Sequence, residues 1–351
     1  MALTPAAAAA AFVGEGADCE PLATGHINAS YVVRCGAERV FLQRINAQVF
    51  PEPRQVMANV LLVTTHVRRS VGPITSPALR PTRAGSPWLE DESGQVWRCT
   101  EFVDGKAKPT VESADDAYAA GLAFGAFARM LASYDGPPLA ETIPGFHDTA
   151  RRLKQLERAI VADRAGRVAA SREEIESLRQ RADLADLLVT RLATGAVPCR
   201  LAHNDAKIAN VLFEPATGRA RWVVDLDTVM PGSLLHDFGD LVRSSVSHAA
   251  EDSAAPAAEP ALFAALAEGF LDGVGDTVTV AELALLESAG RLITFEQAIR
   301  FLTDHLDGDA YYRIERPGQN LDRARGQLAL LQSLERQSAA FSDIILRLVA
   351  R

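Results

Sequence analysis

Apolar residues follow two rhythms along this chain. Over the first hundred positions they come in short strand-type runs. Tyr31 to Arg34 and Arg39 to Arg44 flank Cys35-Gly-Ala-Glu38, which predicts two strands and a turn. Trp88-Leu89 and the stretch after Gly94 predict two more. One helix interrupts them, because Val56, Val60, Val63 and Val67 recur at the spacing of a single helical face. Beyond about residue 105 the helical period takes over. Positions 114–134 are Ala-rich and helical, Leu153, Leu156 and Ile160 share a face, and the charged stretch 164–191 predicts a helix with a solvated, salt-bridged surface. Strands first and helices afterwards is the α+β pattern. It places a β-rich N-terminal domain over residues 1–104 and a mostly helical domain over 105–351.

One stretch of the second half breaks the helical rhythm. Val211 to Phe213 and Trp222 to Val224 are apolar runs around Pro215, Thr217 and Gly218, a hairpin signature. A turn centred on Thr217–Gly218 sets Val211 opposite Val224 and Asn210 opposite Asp225. An amide and a carboxylate then share the open end of the ribbon, with Asp205 just upstream. Oxygen ligands of this kind suit Mg²⁺, which binds a few protein oxygens together with substrate phosphates. The spacing of His203-Asn-Asp205 and Asn210 is that of the loop H-x-D-x-x-x-x-N used in phosphoryl transfer. Lys207 stands where its charge reaches a transferring phosphate, and His203 is read as a brace of the loop. Met230-Pro-Gly232 reads as a turn, 251–259 as an acidic loop, and Asp237 as a favourable charge in the first turn of a helix. Arg44 ends a strand, where its cation meets phosphate, a sugar hydroxyl or solvent. The polar knot from Arg300 to Tyr312 reads equally as a helix stop at Asp307-Gly308 or as the wall of a sugar pocket.

Composition narrows the field. With 351 residues, 48% hydrophobic and 23% charged, the chain is an ordinary globular protein long enough for two domains. Its net charge of −9 argues against a nucleic-acid partner. Four scattered cysteines without a C-x-x-C pair suggest neither a zinc site nor a redox centre and fit a reduced, cytoplasmic setting. The Ala-rich N-terminus lacks the charged start and long apolar core of a signal peptide. No run approaches the ~20 apolar residues of a membrane span, so no membrane partner is expected.

Several segments together resemble a known family. They are Gly25-His-Ile-Asn28, Leu42-Gln-Arg-Ile-Asn46-Ala-Gln-Val-Phe50, His203-Asn-Asp-Ala-Lys-Ile-Ala-Asn210, Asp225-Leu-Asp-Thr-Val-Met-Pro-Gly232, Asp237-Phe-Gly-Asp240 and Arg300-Phe-Leu-Thr-Asp-His-Leu-Asp-Gly308. The chain resembles the small-molecule kinases of the aminoglycoside phosphotransferase and choline kinase type, and in particular the bacterial N-acetylhexosamine 1-kinases. The resemblance implies a bilobal protein-kinase-like fold, ATP and Mg²⁺ as cofactors, and transfer of phosphate to the anomeric hydroxyl of an N-acetylhexosamine. It assigns catalysis to Asp205 and Lys207, and metal binding to Asn210 and Asp225 with Asp227 as an additional carboxylate. Nucleotide contacts fall on Ser30, Gln43, Arg44 and the hinge residues Glu101 and Val103. The sugar falls to Asn28, Arg44, Asp205, Asp240, Arg300 and Tyr311. The strand that usually supplies a phosphate-binding Lys reads Gln43-Arg44 here, and the following helix lacks its Glu partner at Ala58-Asn59. The competing readings are a kinase for aminoglycosides, glucosamine or choline, a non-catalytic ATP-binding scaffold, and a metal-dependent hydrolase.

Overall fold

An N-terminal sheet and a helical body meet along a cleft. The computed structural model describes residues 2–22 and 27–351. Helix α1 (Pro5–Val13) opens the chain, followed by β1 (Asp18–Leu22), β2 (Ala29–Cys35), β3 (Glu38–Arg44), α2 (Pro53–Arg69), β4 (Leu79–Arg80), β5 (Leu89–Glu90) and β6 (Val96–Glu101). These strands form an antiparallel sheet in the order β1-β2-β3-β6-β4, with β5 also on β6. Strand alternation gives the sheet two faces. Val40, Leu42 and Trp97 turn to one side, where Ala8, Ala9 and Phe12 of α1 bury them. The alanines let α1 lie close on the sheet. Gln43 and Arg98, paired across β3 and β6, turn to the other side. The valines expected to form a helical face are the buried face of α2.

The short strand β7 (Lys106–Ala107) leads into helices α3 (Ala114–Ala132) and α4 (Thr149–Ala162). The charged stretch after α4 is not one helix. It breaks into a 3-10 turn, α5 (Arg172–Arg179), a second 3-10 turn and α6 (Val189–Ala193). Ile175, Leu178, Ala185 and Leu188 are its buried anchors, and no single helical face aligns them all. Strand β8 (Arg200–Ala202) precedes the hairpin of β9 (Val211–Phe213) and β10 (Ala220–Val223), and β7 pairs with β9. Met230–Gly232 is not the expected turn; it is β11, paired with β8. Helices α7 (Leu234–Ser245), α8 (Pro260–Val274), α9 (Val280–Leu283), α10 (Leu286–Asp307), α11 (Gln319–Arg336) and α12 (Ser338–Val349) complete the body.

The tightest seam is between α3 and α8. Gly121 and Gly125 face the α8 backbone, while Gly269 and Gly273 face that of α3. A Cβ at any of the four would lie inside 3.0 Å of a main-chain atom on the opposing helix. Only hydrogen fits there. The α3 phenylalanines Phe124 and Phe127 are fully buried beside this seam, in the main core.

Candidate active site

The loop after β8 carries His203, Asn204 and Asp205, and its shape is fixed from below. Asn204 has φ 62°, a conformation that asparagine tolerates better than most residues. Asp237, in the first turn of α7, accepts the backbone N–H of His203 at 2.9 Å and of Asn204 at 2.7 Å. Burial pushes the Asp237 carboxyl up to about 6, against the pull of His203 and these two bonds. The Asn204 amide donates to the carbonyls of Ala202, Thr228 and Met230. His203 presents its ring edge-on to Phe124 and Phe127, and its Nε2 donates to the Val224 carbonyl at 3.0 Å. It is the brace expected from the sequence.

A second brace comes from α10. His147 Nδ1 lies 2.7 Å from Glu296 Oε1, and its Nε2 lies 2.8 Å from the Asn204 carbonyl. Both ring nitrogens face acceptors, so the ring is an imidazolium. Burial alone would lower its pKa, but the Glu296 charge and the two hydrogen bonds raise it. Glu296 is held at about 2 in spite of burial, chiefly by the charge of His147 and its hydrogen bond, with a further bond from Thr149. His236 stacks on His147 with ring centroids 4.4 Å apart. Burial, then the charge of His147, hold it well below the ordinary histidine value and therefore neutral.

Above this platform stand the acidic groups. Lys207 Nζ bonds Asp205 Oδ2 at 2.8 Å and Oδ1 at 3.2 Å. Asn210 Nδ2 donates to Asp205 Oδ2 at 2.9 Å and to its carbonyl at 2.8 Å, which leaves Asn210 Oδ1 as the atom for a cation. Burial works to raise the Asp205 carboxyl, but Lys207, His203 and Asn210 together hold it below the usual carboxylate range. Asp225 sits at φ 63°, just past β10. Its carboxylate receives no hydrogen bond among the described residues. Burial, then the charges of Asp227 and Asp205, push it up to about 6. The charges of Lys207 and Arg98 pull the other way and are outweighed, an excess of negative charge that a divalent cation relieves. Among the described residues no cluster of three His, Cys, Asp or Glu side chains forms a closed metal cage. The donor set of Asn210 and Asp225 fits Mg²⁺ instead, which keeps waters and phosphate oxygens as its other ligands.

The hairpin register differs from expectation by one residue. Val211 pairs with Val223, and the Val224 N–H donates to the Asn210 carbonyl at 3.0 Å. The loop closes through Glu214 and Arg219, one position earlier than the assumed centre, and an irregularity between Ala220 and Trp222 shifts the ladder again. Asp225 still reaches the cleft because its left-handed backbone turns it out of the strand.

Asp227 has other company. It is 2% exposed and forms an ion pair with Arg98 through both oxygens, while Asn28 Nδ2 donates to it at 2.6 Å. Gln43 Oε1 accepts from Arg98 at 2.7 and 2.9 Å, and Gln43 Nε2 donates to Ser30 Oγ at 3.0 Å. Ser30, Gln43, Arg98, Asp227 and Asn28 are thus one buried chain joining the sheet to the body. Arg98 was invisible as a site residue in the sequence, since only the β3–β6 register reveals that it stands beside Gln43 on the face that meets Asp227. Arg44 was the cation expected there. It lies on the opposite face with Leu42, over the Trp97 ring and 3.4 Å from Gln95, and does not line the cleft. Glu101 turns its side chain to Arg68 and to the Ala78 N–H, and Val103 follows at the end of β6. Gly25 and His26 of the segment Gly25-His-Ile-Asn28 lie outside the described residues.

The cleft has a volume of about 420 Å³. It runs from Asn28 past Asp205 and Asp225 to Asp240, Arg300 and Tyr311. At the far end its carboxylates are occupied. Asp240 pairs with Arg243 at 2.7 Å, Glu251 with Arg243 at 2.8 Å, and Asp252 accepts from Gln319 at 3.2 Å and faces Arg316 at 3.5 Å. Arg300 is different. It packs over the rings of Phe146 and Tyr312, hydrogen-bonds Gln297 at 3.1 Å, and has no carboxylate partner among the described residues.

Residues 18–277 match the family described as "APH: Phosphotransferase enzyme family". Solved structures share the fold over nearly the whole chain. The microcompartment-associated aminopropanol kinase is 20% identical, with TM-score 0.68 over 95% of this chain and 97% of that one. Spectinomycin phosphotransferase, solved with ADP and spectinomycin, is 11% identical, with TM-score 0.58 over 92% and 93%. Choline kinase from Cryptosporidium parvum Iowa II is 13% identical, with TM-score 0.51 over 95% and 90%. The protein-kinase-like α+β architecture expected from the sequence is the one observed.

Proposed function

Because the chain belongs to the phosphotransferase enzyme family, we propose that it is an ATP-dependent kinase whose acceptor is a neutral sugar, an N-acetylhexosamine phosphorylated on its anomeric hydroxyl. The observation that carries the choice of acceptor is electrostatic. Among the described residues, the far end of the cleft pairs each of its carboxylates and holds one guanidinium with no carboxylate in contact, that of Arg300. An aminoglycoside or an amino-alcohol brings an ammonium group, which needs a free carboxylate or an aromatic cage. Hydroxyl and amide groups need hydrogen-bond donors and acceptors but no free counter-charge, and Arg300 as donor, with Gln297 and Tyr311 as donors and acceptors, supply them. The segments Leu42-Gln-Arg-Ile-Asn46-Ala-Gln-Val-Phe50 and Arg300-Phe-Leu-Thr-Asp-His-Leu-Asp-Gly308, which resemble the N-acetylhexosamine 1-kinases, support the same acceptor.

The reaction exchanges one P–O bond for another. The acceptor oxygen bonds the γ-phosphorus of ATP, the bond from that phosphorus to the β–γ bridging oxygen breaks, and ADP leaves. Asp205, kept ionised by Lys207, orients the acceptor hydroxyl and receives its proton. Lys207 places positive charge beside the phosphoryl group in flight. Asn210 Oδ1 and Asp225 are the residues that would hold Mg²⁺, which when bound neutralises charge on the β- and γ-phosphates. Catalysis here is positioning and electrostatics on a preset frame. The Arg98–Asp227 pair keeps the sheet in fixed relation to Asp225.

The test is ADP release measured over N-acetylglucosamine, N-acetylgalactosamine, glucosamine, aminopropanol, choline and kanamycin. Turnover is expected with the N-acetylated sugars, and the phosphorus spectrum of the product should show an anomeric phosphate. Turnover confined to the cationic acceptors would overturn the electrostatic argument. ADP release independent of any acceptor would point to a hydrolase, and nucleotide binding without any release to a scaffold.

A further inference from the structure

Behind the wall formed by Arg300, Tyr311 and Tyr312 lies a second cavity of about 360 Å³, set between α4 and α10. Its charge is unbalanced. Arg152, Arg158, Arg164 and Arg300 line it, against Asp304 and Asp307. Neither carboxylate is available to the two arginines nearest the wall. Asp304 Oδ1 accepts the backbone N–H groups of Ala310 and Tyr311, and its Oδ2 accepts those of Tyr312 and the Asn320 amide. Asp307 faces Arg164 at 3.7 Å at the rim. Among the described residues Arg152 has only neutral hydrogen-bond partners, the Phe146 carbonyl at 3.0 Å and Gln155 Oε1 at 3.2 Å. Burial and the neighbouring charge of Arg300 lower its pKa, and the charge of Glu296, which does not touch it, offsets this only in part. Arg158 has no ion pair among the described residues. The Thr303 hydroxyl, in the same wall, has no hydrogen-bond partner among the described residues.

Two guanidiniums sharing a recess, neither with a carboxylate in contact, repel each other. A tetrahedral oxyanion answers both, because its oxygens match the paired N–H groups of arginine and accept a hydroxyl as well. We propose that this cavity binds a phosphate group, as inorganic phosphate or as a phosphate monoester, at a site separate from that of phosphoryl transfer. Arg300 is common to both recesses, so the two sites share a wall. The proposal is independent of the acceptor assigned above, since its readout is binding and not turnover.

The experiment is calorimetric titration of the full chain, without nucleotide, by inorganic phosphate and separately by methyl phosphate. Saturable binding of one equivalent is expected, weakened about tenfold or more in Arg158→Glu and in Arg152→Gln, and unchanged in Lys207→Met. Arg158 is exposed at the rim, so its variant tests the site even if Arg152→Gln disturbs folding. Tighter binding of methyl phosphate identifies a monoester as the occupant, and tighter binding of inorganic phosphate the free ion. Absence of saturable binding overturns the proposal. So does binding that survives Arg158→Glu and disappears in Lys207→Met, which would place the phosphate at the transfer site.

Discussion

Replacing Arg98 by Met tests the buried chain that joins the sheet to the helical body. In the native fold the Arg98 side chain is 5% exposed and that of Asp227 2%, and the pair is bidentate. The variant keeps the length of the side chain and removes its charge. Asp227 is left with one donor, Asn28 at 2.6 Å, and Gln43 Oε1 loses both of its Arg98 bonds. Breaking a buried pair from one side costs about 3–5 kcal/mol, because the surviving charge stays buried. At about 2 °C per kcal/mol, the lower end of the range for chains of 150–250 residues, the melting temperature should fall by about 6–10 °C. The double variant Arg98→Met/Asp227→Leu removes both charges and should lose less than the sum of its single variants, by about 2 kcal/mol. The assay is urea denaturation of the four proteins of the cycle, with m checked for constancy. A loss below about 1 kcal/mol in Arg98→Met, or strict additivity in the cycle, would refute the reasoning.

Three further outcomes are expected. Asp205→Asn should lower kcat by at least ~10²-fold with little change in stability; near-normal turnover would remove Asp205 from proton transfer. The His147–Glu296 pair predicts a stability window. The lowered Glu296 contributes fully above about 4.5, and that contribution is lost as pH falls towards about 2. The raised His147 contributes fully below about 6.5, and its share is lost as pH rises through its folded value. Denaturation midpoints of wild type minus Glu296→Gln should therefore peak between about 4.5 and 6.5, and a flat difference would dismiss the pair. Gly232→Ala places a Cβ well inside 3.0 Å of Asn204 Oδ1. It should cost about 1–3 kcal/mol and depress kcat by displacing the loop; a variant with native melting and turnover would show that Asn204 can move freely.

Much of the frame was legible from local pattern. The valine face of α2 and the strands around Cys35-Gly-Ala-Glu38 follow from side-chain periodicity, which needs no knowledge of partners. The juxtaposition of Asp205 and Asn210 was readable because both lie on one short loop, and Lys207 with them. What failed depended on register. Whether Val211 meets Val223 or Val224 turns on where the four-residue loop between Glu214 and Arg219 closes and on an irregularity that composition does not announce. Which of Gln43 and Arg44 turns toward Asp227 depends on which face α1 covers. Arg98 acquires meaning only once β3 and β6 are known to pair. Asp237 was read as a helix-dipole charge, and its two bonds to the loop across more than thirty residues of sequence had no local trace. The stretch 164–191 carried a helical composition but only scattered anchors, so tertiary contacts broke it into pieces.

The glycine seam between α3 and α8 has a consequence for heat. Where two helices touch through side chains, rotamers can rearrange and let the pair slide by small steps as temperature rises. Here four positions oppose main chain to main chain, and any slippage would drive a neighbouring Cβ into a carbonyl. The seam therefore acts as a keyed joint that either holds or comes apart. His203 leans on Phe124 and Phe127 of that same helix, so the reacting loop takes its footing from the keyed helix.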